Sequence, residues 1–377
     1  MTIIKNAKIV LQNKIIENAF LRIENSLIVD FGQGAFEKSK KDKIIDAKNN
    51  FLCPAFIDIH CHGALGADFS NAKNSDVKKI AEYKLSEGVA TLIPTTLCVS
   101  EKKLKSIFAA LKNYDNKFCK IPCAHLEGPF INKKMSGSQN PKFITKPNLK
   151  LIDELNSIFK IGKISYAPEC DKNNSFAKKF ASEFVLSAAH SNASYDRFLE
   201  AHKLGLKNIT HFFNRCAPMT SRDFGIVGAG LHLDDVFLEI IADFIHITPD
   251  VLRLLFNVKD FKKIILISDA INVAGLKDGN YNMQGIALSL KNGEARVKKT
   301  NALAGSVLKM NEAVKNLMSL DVSLKNAIYC ASTAPAKSLN LKTGQIKKSY
   351  PADLVILDSE FNVQKTFVNG IIKYQRI

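Results

Sequence analysis

The sequence predicts an α/β protein: a (β/α)8 TIM barrel with a small β-sandwich domain built from both chain termini. Three observations carry that expectation. Between residues 51 and 344, apolar strand-like runs alternate with longer amphipathic segments, as expected of β/α units around a parallel sheet. Residues 1–50 instead read as a meander of short strands, and residues 345–377 return to strand. The chain's 377 residues, 46% of them hydrophobic, suffice for one barrel with a satellite and a large buried core.

In chain order, Ile3-Ile4, Lys8–Leu11, Lys14–Glu17, Phe20–Glu24 and Leu27–Phe31 are strand-like, before a charged loop over Glu37–Lys43. Eight apolar runs follow: Phe56–Ile59, Ala90–Pro94, Pro122–Leu126, Ile161–Ala167, Phe184–Ala188, Asn208–His211, Leu238–Ala242 and Ile264–Ile267. Between them, Val77–Ser86, Glu101–Lys112, Leu149–Phe159, Ser175–Ser182, Tyr195–Leu204 and Pro249–Phe256 carry the helical period. Asn292-Gly293 predicts a hairpin inserted after the eighth strand, and Asn369-Gly370 another within the tail strands Asp353–Leu357, Phe361–Val368 and Ile371–Tyr374. The predicted division places 1–50 with 345–377 in the β-domain and 51–344 in the barrel.

Charge and cysteines narrow the function classes. The net charge of +17 comes from lysines spread over polar helix faces, with no arginine cluster interleaved with aromatics, so nucleic acid is not the expected partner. An anionic small substrate agrees with the same charge. No apolar run reaches the ~18–20 residues that span a bilayer, and the start lacks a signal-type apolar core, so a cytoplasmic address and no membrane partner are expected. Eight cysteines without a Cys-x-x-Cys pair read as small buried hydrophobes rather than zinc ligands.

The chemistry sits at strand ends. Catalytic residues of such barrels occupy the C-terminal mouth of the strands. Phe56-Ile-Asp-Ile-His60-Cys-His62 ends the first strand with two histidines at i and i+2, which share a face of an extended chain. Glu127 ends the third strand before a Gly-Pro break, His190 and His211 end two more, and Asp269 ends the last. This mixed nitrogen and oxygen donor set suits a divalent-metal centre, Zn²⁺ or Fe²⁺ rather than Ca²⁺. His125 is read as either a neighbour of that cluster or a packing residue, and His246 as either a substrate contact or an ordinary buried histidine.

These motifs, with Ala167-Pro-Glu, His190-Ser-Asn-Ala, His211-Phe-Phe-Asn214 and Ala304-Gly-Ser306, resemble the N-acetylglucosamine-6-phosphate deacetylase family of the amidohydrolase superfamily. The resemblance implies a metal-dependent deacetylase acting on an N-acetyl amino-sugar phosphate, as a homodimer. By the same match, Glu127, His190 and His211 would hold the common metal, and His60 and His62 a second one with Glu127 and Asp269. Asp269 would be the catalytic acid/base. Asn214, Arg222 and His246 match positions that engage the sugar phosphate, with Arg222 and His246 expected across the dimer interface.

Four positions depart from the family pattern. Gln139 stands where a histidine helps polarise the substrate carbonyl, and Arg215 adds a cation beside the presumed phosphate site. Phe244 and Ala189 replace glycines, and Phe244 suggests an altered pocket shape. A related hydrolase of another N-acyl sugar or a cyclic amide is one alternative. A non-catalytic binding or scaffold relative is another, although such proteins typically lose metal ligands and all six candidates are present here.

Overall fold

The computed structural model describes residues 1–377 and has mixed α/β architecture. Both chain ends meet in one eight-stranded sheet, ordered Ile371–Gln375, Val363–Val368, Leu354–Leu357, Phe51–Pro54, Thr2–Val10, Ile15–Glu24, Leu27–Gln33, with Lys43–Asp46 also paired to Thr2–Val10. Alternation explains the long N-terminal strands: Leu21 and Ile23 turn into a core that they share with Ile4, Leu52, Leu354 and Phe367. Phe51–Pro54, four residues beyond the expected boundary at residue 50, belong to this sheet. Asn369 and Gly370 make the terminal hairpin turn at φ 50° and 76°, pairing Val368 with Ile371.

The middle of the chain forms parallel sheet. Six strands, Ala124–Glu127, Ile161–Tyr166, Val185–Ala188, Leu206–Ile209, Phe237–Ile240 and Ile264–Leu266, pair in sequence order. Phe56–Cys61 pairs in parallel with Val89–Pro94. Parallel bridges Thr91–Lys120 and Thr95–His125 join Val89–Pro94 to the six-stranded sheet, and Cys61–Ala270 links the first strand to the segment after the last. Every expected run in this region thus falls on a strand. The helix Glu101–Lys112 begins where Ser100 accepts the Lys103 N–H, and it buries Leu104, Ile107, Phe108 and Leu111.

Some elements stand outside the expected set. Gly225–His232 is helical although glycine disfavours helix, because its glycines allow close packing. A Cβ on Gly230 would meet Phe212 at 2.6 Å and Ile209 and Leu238 at 2.9 Å. Met310–Met318, Leu324–Ile328 and Ala334–Ser338 form further helices before the chain returns to the terminal sheet. The expected hairpin at Asn292-Gly293 is the outer turn of a three-stranded sheet, Gly279–Met283, Ile286–Lys291 and Glu294–Val297. No helix is long and apolar enough to cross a membrane.

Candidate metal centre

Six side chains from five strand ends converge at one end of the parallel strands. Glu127 lies at their centre. Its Oε1 is 3.1 Å from both His190 Nε2 and His211 Nε2, and its Oε2 is 3.3 Å from His62 Nε2. Asp269 Oδ1 lies 3.3 Å from His60 Nε2 and 3.4 Å from His62 Nε2. The two histidine pairs face each other nitrogen to nitrogen, His60–His62 at 3.2 Å and His190–His211 at 3.3 Å. Two donor trios result, His60–His62–Glu127 and Glu127–His190–His211, joined by Glu127.

This spacing fits a divalent ion. Four donors each ~2.0–2.1 Å from one ion stand about 3.3–3.4 Å apart, the edge of a tetrahedron. Facing imidazole nitrogens gain at most one shared proton, whereas an ion satisfies every lone pair at once. The outward nitrogens of two of these histidines are also held as metal-bound histidines usually are: His190 Nδ1 meets Met135 O at 2.9 Å and His211 Nδ1 meets Asn214 O at 3.0 Å.

The backbone around these residues is unusual. His190, His211 and Asp269 adopt φ of 47°, 33° and 48°, a left-handed region that costs a non-glycine residue ~1–3 kcal/mol. Each sits just past its strand, where the chain turns into the following loop. Such strain persists where surrounding structure fixes it and clusters at functional sites.

Opposite charges face one another across the cluster. Burial opposes the charge on Glu127, but the field of His60 and the bonds from His190, His211 and His62 outweigh it and keep the carboxyl well below its usual range. Burial likewise opposes the Asp269 charge, and His60 and His62 overcome it. His62 is disfavoured as a cation by burial, yet its contacts with Asp269 and Glu127 raise it to about 10.

Polar residues behind the cluster tie its strands together. Asp58, two residues before His60, accepts Ser268 Oγ–H at 2.5 Å and Ser268 N–H at 3.2 Å, and it pairs with buried Lys84 at 3.0 Å. First and last strands are thus clamped next to His60 and Asp269. Buried Glu239 contacts Lys163 at 2.5 Å and lies 3.8 Å from His60 Nδ1. His125 is not part of the donor set; it sits between Thr95 Oγ1 at 3.2 Å and Ser165 Oγ at 2.7 Å. Burial, then Lys163 and His60, hold its pKa well below normal, so it packs as a neutral ring.

The matching family model, the amidohydrolase family, covers residues 51–372. The chain belongs to the amidohydrolase family. An N-acetylglucosamine-6-phosphate deacetylase of Lysinibacillus sphaericus is 30% identical over 343 residues, covering 88% of this chain and 87% of that relative. An N-acetylgalactosamine-6-phosphate deacetylase of Escherichia coli O157:H7 is 30% identical over 331 residues, covering 85% of this chain and 86% of the relative. The crystal structure of the Thermotoga maritima N-acetylglucosamine-6-phosphate deacetylase superposes with a TM-score of 0.90 at 32% identity, covering 99% and 100% of the two chains.

The amidohydrolase centre opens into a cavity of about 470 Å³, lined in part by Gln139, Asn214, Arg215, His246 and Asp269. His246 Nδ1 is held by Asp243 at 2.7 Å. Of the expected substrate contacts, Arg222 alone is not in this wall; it lies on the exposed Thr220–Asp223 turn. Phe244 is not in the wall either, contrary to an effect on pocket shape through its side chain. Its departure from glycine shows in the backbone instead, at φ 66°. Arg296 and Leu303, from the inserted sheet and the loop after it, line the cavity and were not legible as site residues. Asp58, Lys163 and Glu239 were also missed, although charges within otherwise apolar strand runs were the available signal.

Proposed function

We propose that this amidohydrolase is a metal-dependent deacetylase that cleaves the acetamide of an N-acetyl amino-sugar phosphate, with N-acetylglucosamine 6-phosphate as the leading substrate. The carrying observation is the pair of donor trios joined by Glu127 at the base of a polar cavity. The names of the relatives support the substrate class. In this reading the ring of parallel strands is the closed (β/α)8 barrel and the terminal sheet a β-sandwich satellite, with the boundary after Pro54 rather than residue 50.

Glu127, His190 and His211 would hold one Zn²⁺ or Fe²⁺, and His60 and His62 a second with Glu127 and Asp269. A bound divalent ion supplies Lewis acidity, which polarises a carbonyl and acidifies water. Asp269 contributes a carboxylate at the cavity floor that orients the attacking water, takes its proton, and delivers it to the leaving amine. Asn214, Arg215 and His246 line the same cavity and would hold the sugar phosphate. Gln139 lines it too, but its amide is already engaged on both sides.

A homodimer fits an apolar face beside the cavity. Met219, Phe224, Leu254 and Val258 are exposed there, around an apolar hollow lined by Phe213, Val227, Leu231 and Val251. Arg222 on the adjoining turn would reach the neighbouring subunit's substrate. A cytoplasmic site of action completes the reading.

The test is acetate release from 6-phosphates of N-acetylglucosamine and N-acetylgalactosamine and from their unphosphorylated forms. Arg215→Ala is expected to raise KM for phosphorylated substrate about 10–100-fold, the loss of a charged hydrogen bond, and to leave the unphosphorylated analogue nearly unchanged. Equal losses on both would reject phosphate recognition by Arg215, and no turnover of any phosphate would reject the substrate class.

A further inference from the structure

Gln139 is 4% exposed, on the loop that follows the strand ending in Glu127. Both ends of its amide are occupied. Its Oε1 accepts the Cys98 N–H at 2.7 Å, and its Nε2 donates to Glu127 Oε2 at 2.6 Å. The orientation is fixed by chemistry: a backbone N–H only donates, so the carbonyl end must face Cys98 and the amino end Glu127. The loop itself is pinned by the Gln139 N–H on Ser136 O at 2.9 Å.

The two oxygens of Glu127 have different neighbours. Oε1 faces His190 and His211 at 3.1 Å, with His60 further off at 3.7 Å, whereas Oε2 faces His62 and Gln139. The terminal torsion of a glutamate is soft. The Gln139 N–H, the shortest of the contacts on Oε2, adds a directional bond that resists turning of the carboxylate. A carboxylate oxygen has two lone-pair sites, so Oε2 can accept the Gln139 N–H and still offer one site towards His62, 3.3 Å away.

We propose that Gln139 is a positioning residue that sets the rotation of Glu127 and thereby governs occupancy of the His60–His62 half of the metal centre. The other half depends on it less, because Oε1 is already flanked by two imidazoles. This inference rests on the cluster being a metal centre, but not on the identity of the substrate.

The experiment is calorimetric titration of metal-stripped protein with Zn²⁺, comparing wild type with Gln139→Met and Gln139→Leu. Methionine matches the length of glutamine and has no donor. Wild type is expected to bind two ions. In both variants the weaker event should lose about 10–100-fold in affinity, the usual effect of removing an outer partner of a metal ligand. The tighter event should persist unchanged, which also reports an intact fold. Equal weakening of both events, loss of both, or two unaltered events would overturn the assignment. A wild type that takes one ion would overturn it as well, whereas one that takes none would overturn the metal centre itself.

Discussion

Replacing Glu127 with glutamine is expected to empty the proposed metal centre and to lower turnover at least about a thousandfold, because the ion-derived acidification of water would be lost with the ion. Glu127 is the one residue common to both donor trios. The amide is the same size, so Gln139 retains an acceptor and the surrounding packing survives. What disappears is the negative charge that His60, His62, His190 and His211 all face. Elemental analysis of the purified variant, with a thermal melt to verify folding, checks this outcome. A variant that keeps its full metal content would remove Glu127 from the centre of the account.

Asp269→Asn separates holding the ion from moving the proton. Asp269 approaches the cluster through Oδ1 at the His60–His62 side, while the Glu127–His190–His211 trio does not include it. At least that trio's ion should remain. An asparagine cannot accept a proton from water or return one to an amine, so kcat should fall about 10²–10⁴-fold, the range for a lost general acid/base. The KM for substrate should change little. Near-normal kcat in a metal-replete variant would reject the acid/base role.

Much of the site's layout was legible because strand periodicity and ligand chemistry coincide. His60 and His62 fall at i and i+2, and Glu127, His190, His211 and Asp269 each close an apolar run, so their side chains point one way once the strands lie parallel. The helix Glu101–Lys112 was readable to its ends because a serine cap and an apolar stripe agree. The rest depends on tertiary placement. Gly225–His232 is helical through packing that its glycines permit, against local propensity. Arg296 lines the cavity from the inserted three-stranded sheet, a placement that no local pattern encodes. Gln139 is readable as a pocket residue, but its bond to Glu127 depends on where its loop comes to rest. The pairing of Lys163 with Glu239 joins strands 76 residues apart.

The most direct measurement compares hydrolysis of N-acetylglucosamine 6-phosphate by the protein as purified, after stripping with a chelator, and after refilling with Zn²⁺ or Fe²⁺. The account predicts one to two equivalents of divalent metal per chain at the outset, loss of acetate release on stripping, and recovery on refilling. Full activity in metal-free protein would contradict it.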